Sequence, residues 1–475
     1  MSTTTPRLTA GQLTTIVILA TSTFFALVTE LVMGVALPTI MIELNISAST
    51  AQWLTTAYAL VLAVIIPTTG YIQRRFKTRP IFLVSMALFS LGTAIAVVSP
   101  NFEVLLVGRI VQALGTATLL PLLMTTAFGM VPPERRGQMM ATITAVISLS
   151  PAVAPAFSGF VMAQLGWRWL FIIVLPLALL GLIAGALKVP NVVETSSAKL
   201  DVLSLFLTAI GFGALIIGLS AMGEGSQEGI PATFWIAVPI GLLGITAFLL
   251  RQNRLQRSGA APLMDVRIFN SRAFCASIAL FALIVAGAFS QSVLLPLVLQ
   301  NARGLGVFET GLFMAPGGLV IIVISVLVGK VYNRIGARTL MIAGAAIVAA
   351  GWWLMSSFGQ TTPIGVMLAT YLIINAGQCL AWVALFTLAL DSLPEELTPH
   401  GSAALNTMQQ LGGAVGLAIL IGIFSFTATG DDPGSVAASA HAAFTGGGVI
   451  ALIAVIVAFL APRKPRAARP PVAKR

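Results

Sequence analysis

The chain has 475 residues, of which 57% are hydrophobic and only 9% charged, with a mean hydropathy of +0.99. A water-soluble domain carries about a quarter charged residues, so a soluble globular fold is excluded. The net charge of +11 comes from 26 basic and 15 acidic residues, and these basic residues do not gather into the single patch that a nucleic-acid partner requires.

Apolar stretches near the twenty residues needed to cross a bilayer follow one another along the chain. They predict an all-α integral membrane protein with spans near 14–37, 52–72, 80–99, 102–124, 138–162, 169–188, 202–221, 233–250, 273–298, 309–330, 339–357, 364–390, 403–426 and 443–461. The first is too long and lacks the small-residue cleavage site of a removable leader, so it reads as helix one. The loops that alternation places on the side of the N-terminus hold Arg74, Arg75, Lys77, Arg79, Arg135, Arg136, Arg251, Arg254, Arg257, Lys330, Arg334 and Arg338, whereas the other side keeps Arg168 and Arg303. That bias predicts both termini in the cytoplasm. The basic tail 463–475 reads as a topology anchor near anionic lipid.

Glu30 is the sharpest feature of helix one, the sole ionisable side chain between Thr21 and Pro38. An ionised carboxylate at the bilayer centre costs about 2.5–3.5 kcal/mol on insertion scales, so Glu30 is expected to face a cavity, to pair or to hold a proton. Arg109, in the fourth span at similar depth, is its expected partner. A pair made in one state and broken in another would couple charge to movement, and a permanent helix–helix clamp is the structural alternative.

Gly70 to Arg79 and Gly329 to Arg338, 259 residues apart, echo each other: glycine first, arginine five residues on (Arg75, Arg334) and arginine nine residues on (Arg79, Arg338). Both copies end a span, as in a duplicated bundle. The second copy follows the tenth span rather than the eighth, so two extra helices separate the halves. The expected organisation is a six-helix half in 1–190, two additional helices in 191–272, a second six-helix half in 273–462 and the tail. The stretch 427–442 reads as an exposed loop. In the fifth span, Pro151 and Pro155 are expected to bend the helix, while its alanines and serines allow close approach to a neighbour; Gly159 ends this conformational motif.

A pocket for small molecules needs apolar and aromatic walls with a few polar anchors. Phe24, Met33, Trp53, Tyr58, Gln291, Asn375, Gln378 and Trp382 are the candidates, Asn375 and Gln378 sharing one helix face; packing or interhelical hydrogen bonding is the other reading of each. Cys275 and Cys379 lie in or beside apolar spans and suit packing. His400, read as part of an inner loop, and His441, read at the outer mouth of the last span, have no acidic or cysteine cluster, so no metal site is expected. No phosphate-binding Gly-x-x-x-x-Gly-Lys-Ser/Thr loop occurs, which leaves ATP-driven pumping without support.

Gly34-Val-Ala-Leu-Pro38, Gln52-Trp-Leu-Thr-Thr-Ala-Tyr58, Gly70 to Arg79, Arg109-Ile-Val-Gln-Ala-Leu-Gly115, Ser150-Pro-Ala-Val-Ala-Pro-Ala-Phe-Ser-Gly159 and Asn406-Thr-Met-Gln-Gln-Leu-Gly-Gly413 appear in that order. Together they resemble the major facilitator superfamily, and within it the fourteen-helix drug:proton antiporters of the EmrB/QacA type. The resemblance implies two six-helix halves plus two central helices and proton-coupled multidrug efflux across a bacterial cytoplasmic (inner) membrane. It implies a role for Arg109 in proton transfer, no cofactor beyond the proton gradient, and drugs, protons and lipid as partners. EmrB-like relatives use a periplasmic adaptor and outer-membrane channel, whereas QacA-like relatives act alone. The family's helix-one aspartate falls at Thr29, so the acid here is displaced by one residue, about 100° of helix rotation. An exporter of one endogenous metabolite, lipid or sugar is the alternative within transport. A polytopic enzyme or receptor would need a soluble domain or clustered catalytic residues, which the chain does not offer.

Overall fold

The computed structural model describes residues 9–191, 201–223, 231–258, 262–359, 361–427 and 433–461. Among them there are fifteen α-helices and no strand: α1 (Ala10–Leu44), α2 (Ala48–Ile65), α3 (Thr69–Arg75), α4 (Thr78–Val97), α5 (Phe102–Met130), α6 (Pro133–Leu165), α7 (Arg168–Lys188), α8 (Val202–Gly223), α9 (Ala232–Arg257), α10 (Arg272–Asn301), α11 (Val307–Ile335), α12 (Ala337–Ser356), α13 (Ile364–Asp391), α14 (Thr398–Thr427) and α15 (Pro433–Leu460). Helices satisfy every backbone group within the segment, which a lipid environment demands. Thirteen spans are long and apolar enough to cross a membrane; α6, with 33 residues, is the fourteenth long element. Alternation therefore places the start of α1 and the end of α15 on one side, hereafter the terminal face.

The helices outrun their apolar cores because polar ends are capped. Thr9 and Gln12 form a capping box at the start of α1, and Asn45 closes it in the left-handed conformation at φ 51°. The second span is not one continuous helix. Pro67 has no N–H to give, and a 3-10 turn at Ile66–Thr68 separates α2 from α3. There the Thr68 hydroxyl donates to the Ile65 carbonyl and the Thr69 hydroxyl to that of Ile66, each at 2.7 Å. The expected loop 427–442 is also shorter than read: α15 begins at Pro433, while Asp431 and Asp432 lie outside the described residues. Alanine and serine between 434 and 443 lower the hydropathy of this turn without opposing a helix.

The same close-packing device recurs in two helix pairs. Gly92 and Gly108 let α4 and α5 meet backbone to backbone, a Cβ on Gly92 falling 2.3 Å from the Gln112 nitrogen. Gly344 and Gly377 do the same for α12 and α13, with 2.6 Å from a Gly344 Cβ to the Gly377 oxygen. Small residues at such crossings replace the hydrophobic drive that lipid cannot provide. The α8–α9 hairpin sits beside these bundles, Phe212 and Ile216 packing with Ala63 of α2 and with Leu411 and Ala414 of α14. Its base is stapled by Arg251, whose Nε and Nη2 each donate to Asp201 at 2.7 Å. Arg251's hydrogen bonds hold the Asp201 carboxyl below the usual carboxylate range. Gln252 adds a bond to Ser204 at 2.6 Å and receives the Leu263 amide at 2.8 Å, which fixes the approach to α10.

Candidate functional site

Arg109 of α5 is the centre of a buried polar network, with 0% exposure. A buried cation is costly unless its hydrogens are used, and here they are. Nη1 donates to Gln112 Oε1 at 2.7 Å and to the Thr29 carbonyl of α1 at 3.3 Å, and Nε donates to the Leu54 carbonyl of α2 at 3.4 Å. The Tyr58 ring lies 4.1 Å below the guanidinium carbon, a favourable cation–π arrangement. Gln112 then passes the network to Thr93 of α4 at 2.8 Å, and Tyr58 donates to Thr116 at 2.7 Å. Four helices are thereby tied to one charge.

Glu30 follows Thr29 and is only partly buried. In this structure it makes no ion pair with Arg109 within 4.0 Å. The element they share is the Thr29 peptide, whose carbonyl accepts from Arg109. Thr29 has 0% exposure and turns its hydroxyl back to the Phe25 carbonyl at 2.7 Å. The one-residue displacement thus leaves a neutral, self-satisfied side chain toward the core and puts the acid on an adjacent face of α1.

The substrate candidates divide into three groups. Met33 and Tyr58, at 0% and 1% exposure, are packing residues. Met33 sits in a cluster with Trp167, Leu170 and Phe171, and Tyr58 lies under Arg109, so both pack within the N-terminal part in this structure. Trp53 is 47% exposed and Phe24 partly buried against Phe25. In the C-terminal part, Gln378 of α13 donates to Gln291 of α10 at 3.2 Å, leaving the Gln291 amide nitrogen buried without a partner. Asn375 spends its amide on the Tyr371 carbonyl of its own helix. One turn further along α13, Trp382 stacks on Phe386 at 6.0 Å and meets the edge of Phe281 at 4.7 Å. Gln291, Gln378 and Trp382 therefore form a polar and aromatic cluster between α10 and α13. A separate groove of about 290 Å³ lies between α1 and α6, lined by Leu13, Val17, Thr21, Arg135 and Gln138 among others; none of the sequence candidates reaches it.

At the terminal face the two parts of the chain close on each other. Gly70 seats His400 of α14, a Cβ there lying 2.5 Å from Nδ1, and Gly329 seats α6, with 2.8 Å to the Ala141 Cβ. Arg136 at the start of α6 pairs with Asp391 at the end of α13 at 2.8 Å, and Ser402 of α14 donates to the Pro121 carbonyl of α5 at 3.4 Å. The second arginine of each echo does equivalent work: Arg79 donates to the Ala186 carbonyl near the end of α7, and Arg338 to the Phe459 carbonyl near the end of α15 at 2.6 Å. Cations at helix C-termini are favoured by the dipole. Arg75 and Arg334 are exposed, and Arg75 rests near the Phe76 ring.

Pro151 and Pro155 fall within α6, but their side chains lie outside the described residues. Gly159 is exposed with open space around it. Ser150 does join α6 to α1, donating to the Phe24 carbonyl at 3.5 Å. Sequence reasoning missed Gln112, Thr93 and Thr116, although Gln112, three residues beyond Arg109, was within reach of a helix-face argument. It also placed His400 in a loop; Pro399 is accepted in the first turn of a helix, so α14 already includes it at 0% exposure.

A many-span bundle with a buried charged network, a polar and aromatic interior cluster and an interlocked face has the architecture of a membrane carrier. The family model described as Major Facilitator Superfamily matches residues 19–202 and again 196–417. The chain is 35% identical over 452 residues to the lincomycin resistance protein LmrB of Bacillus subtilis (strain 168), covering 93% of this chain and 94% of that protein. It is 33% identical over 459 residues to the uncharacterized MFS-type transporter YcnB of the same organism, covering 95% and 96%. The crystal structure of the human organic anion transporter MFSD10 superposes with a TM-score of 0.66 at 13% identity, covering 94% of this chain and 99% of that one; this likeness concerns the fold. The chain belongs to the major facilitator superfamily.

Proposed function

We propose that the chain is a proton-coupled drug efflux antiporter, exporting apolar or cationic compounds across a bacterial cytoplasmic membrane by alternating access. The observation that carries the reading is the position of Glu30 next to Thr29, whose carbonyl accepts a hydrogen bond from the buried Arg109 at 3.3 Å. A carboxyl beside, yet not locked to, a fixed cation is able to exchange a proton for a cationic or apolar guest without dismantling the helix bundle. The likeness to a lincomycin resistance protein supports drugs as the cargo.

The terminal face, rich in arginine and lysine, is assigned to the cytoplasm. The halves 1–190 and 273–462 rock against each other and the segment 191–272 rides as an added hairpin; the tail 463–475 lies outside the described residues. The drug is recognised at Gln291, Gln378 and Trp382 between α10 and α13, while Glu30 carries the proton. One charge moving down 100 mV supplies about 2.3 kcal/mol, about a fiftyfold gradient of an uncharged drug per proton on that term alone. The test uses purified chain in vesicles with an imposed pH gradient and a panel including lincomycin and cationic dyes. Drug-evoked collapse of the gradient, together with gradient-dependent uptake, is expected; uptake that is unchanged when the gradient is removed would overturn the reading.

A further inference from the structure

His400 is ionisable, sealed between the two parts of the chain, and unused in the reading above. Its Nε2 lies 3.3 Å from Nη1 of Arg74 on α3. A guanidinium only donates, so Nε2 accepts and the ring proton sits on Nδ1. Nδ1 is pressed onto Gly70, with the Leu263 backbone within its reach. The other charges that reach the ring are Asp265 and Arg267, in the turn before α10. Asp265 is already committed, its carboxylate bonded to Arg267 Nη2 at 2.6 Å and Nε at 3.0 Å. The ring is therefore ringed by two cations and one spoken-for anion.

We propose that His400 is the latch of the terminal-face gate: as a neutral imidazole it holds α14 on α3, and a proton captured at Nε2 releases it. The incoming proton, taken from water on the terminal side, occupies the lone pair that Arg74 was using. Imidazolium and guanidinium, both donors and both positive, then face one another where a hydrogen bond of 3.3 Å had been. On reclosure the proton returns to that water. His400 is thus a positioning residue that acts through the Gly70 contact. The inference rests on the alternating-access reading, and it makes gate opening responsive to acid on the terminal side.

The test places spin labels at Lys77→Cys and Glu396→Cys, both exposed positions flanking the gate, in the full chain with Cys275→Ser and Cys379→Ser, reconstituted in lipid nanodiscs. Distances are recorded between about pH 8 and pH 6, the range in which histidine changes charge. With His400 intact, the separated population is expected to rise at least about threefold on acidification. His400→Gln, whose amide oxygen still accepts from Arg74 and takes no proton, is expected to stay closed throughout. Arg74→Gln, which keeps the histidine but removes the opposing cation, is expected to flatten the response and serves if His400→Gln does not fold. No pH response in the parent, or an undiminished response in either variant, overturns the latch. Drug-evoked proton release is measured on the same preparations. A silent gate with intact exchange sinks the latch alone, and a responsive gate without exchange sinks the antiporter reading alone.

Discussion

Gly329→Ala is expected to unbalance the gate, and the size of the effect follows from the packing. A Cβ at this position would lie 2.8 Å from the Cβ of Ala141 and 3.2 Å from the Cα of Gln138. Ordinary carbon–carbon contact begins at about 3.5–4.0 Å, so α11 and α6 would have to part by about 1 Å. Overpacking of this kind costs about 1–3 kcal/mol. If the contact exists only while the terminal face is closed, the cost falls on that state alone and shifts the equilibrium about 5- to 150-fold toward opening. Ala141→Gly removes the nearest clashing atom, at a cost of about 1 kcal/mol for glycine inside a helix. The double variant should therefore recover part of the closed population, limited by the Gln138 contact that remains. The assay is the distance distribution between labels across the terminal face, read beside thermal stability. A Gly329→Ala chain with the parent's distribution, or a double variant with no recovery, would refute the argument.

Arg109→Lys keeps the charge but cannot reach Gln112, Thr29 and Leu54 together. Each charge-assisted bond is worth about 1.5–3 kcal/mol, so drug-evoked proton flux should fall steeply while the protein still inserts and folds; unimpaired flux would show that the fork geometry is dispensable. Trp382→Ala removes a ring stacked on Phe386, and aromatic pairs contribute about 0.5–1.5 kcal/mol. Binding of aromatic substrates, measured by fluorescence titration, should weaken about two- to tenfold, with Trp382→Phe retaining most of it. Asp201→Asn tests the staple at the base of the α8–α9 hairpin. Because Arg251 holds the Asp201 carboxyl below the usual range, the stabilisation is complete above the unfolded value near about pH 4 and is lost as pH falls through the native one. Thermal unfolding should separate the variant from the parent at neutral pH, and the gap should close in acid.

Much of the architecture was legible because apolar length is a strong signal: twenty residues without charge have few alternatives to a span. The duplicated glycine–arginine motif was equally plain, and the structure gives Arg79 and Arg338 the same task at the ends of α7 and α15. Where hydropathy was diluted, the reading slipped. The first turns of α15 are rich in alanine and serine, and the break at Pro67 is hidden inside an uninterrupted apolar run. The site was legible in its charges and illegible in its facing. Glu30 and Arg109 announce themselves in lipid, but which side of α1 meets α5 depends on the close crossings of its neighbours, and those placed the Thr29 carbonyl rather than the Glu30 carboxylate on the guanidinium. Met33 and Tyr58 have the composition of pocket residues, and in this structure both are packed.

The measurement that bears most directly on proton coupling is drug-evoked proton release from the purified chain in lipid vesicles, comparing the parent with Glu30→Gln and Glu30→Asp. If Glu30 carries the proton, the glutamine variant should bind drug yet release no proton and drive no gradient-dependent uptake, with the aspartate variant keeping part of both. Proton release and drug exchange that persist in Glu30→Gln would contradict the assignment and move the coupling carboxyl elsewhere, to Asp391 or Glu309.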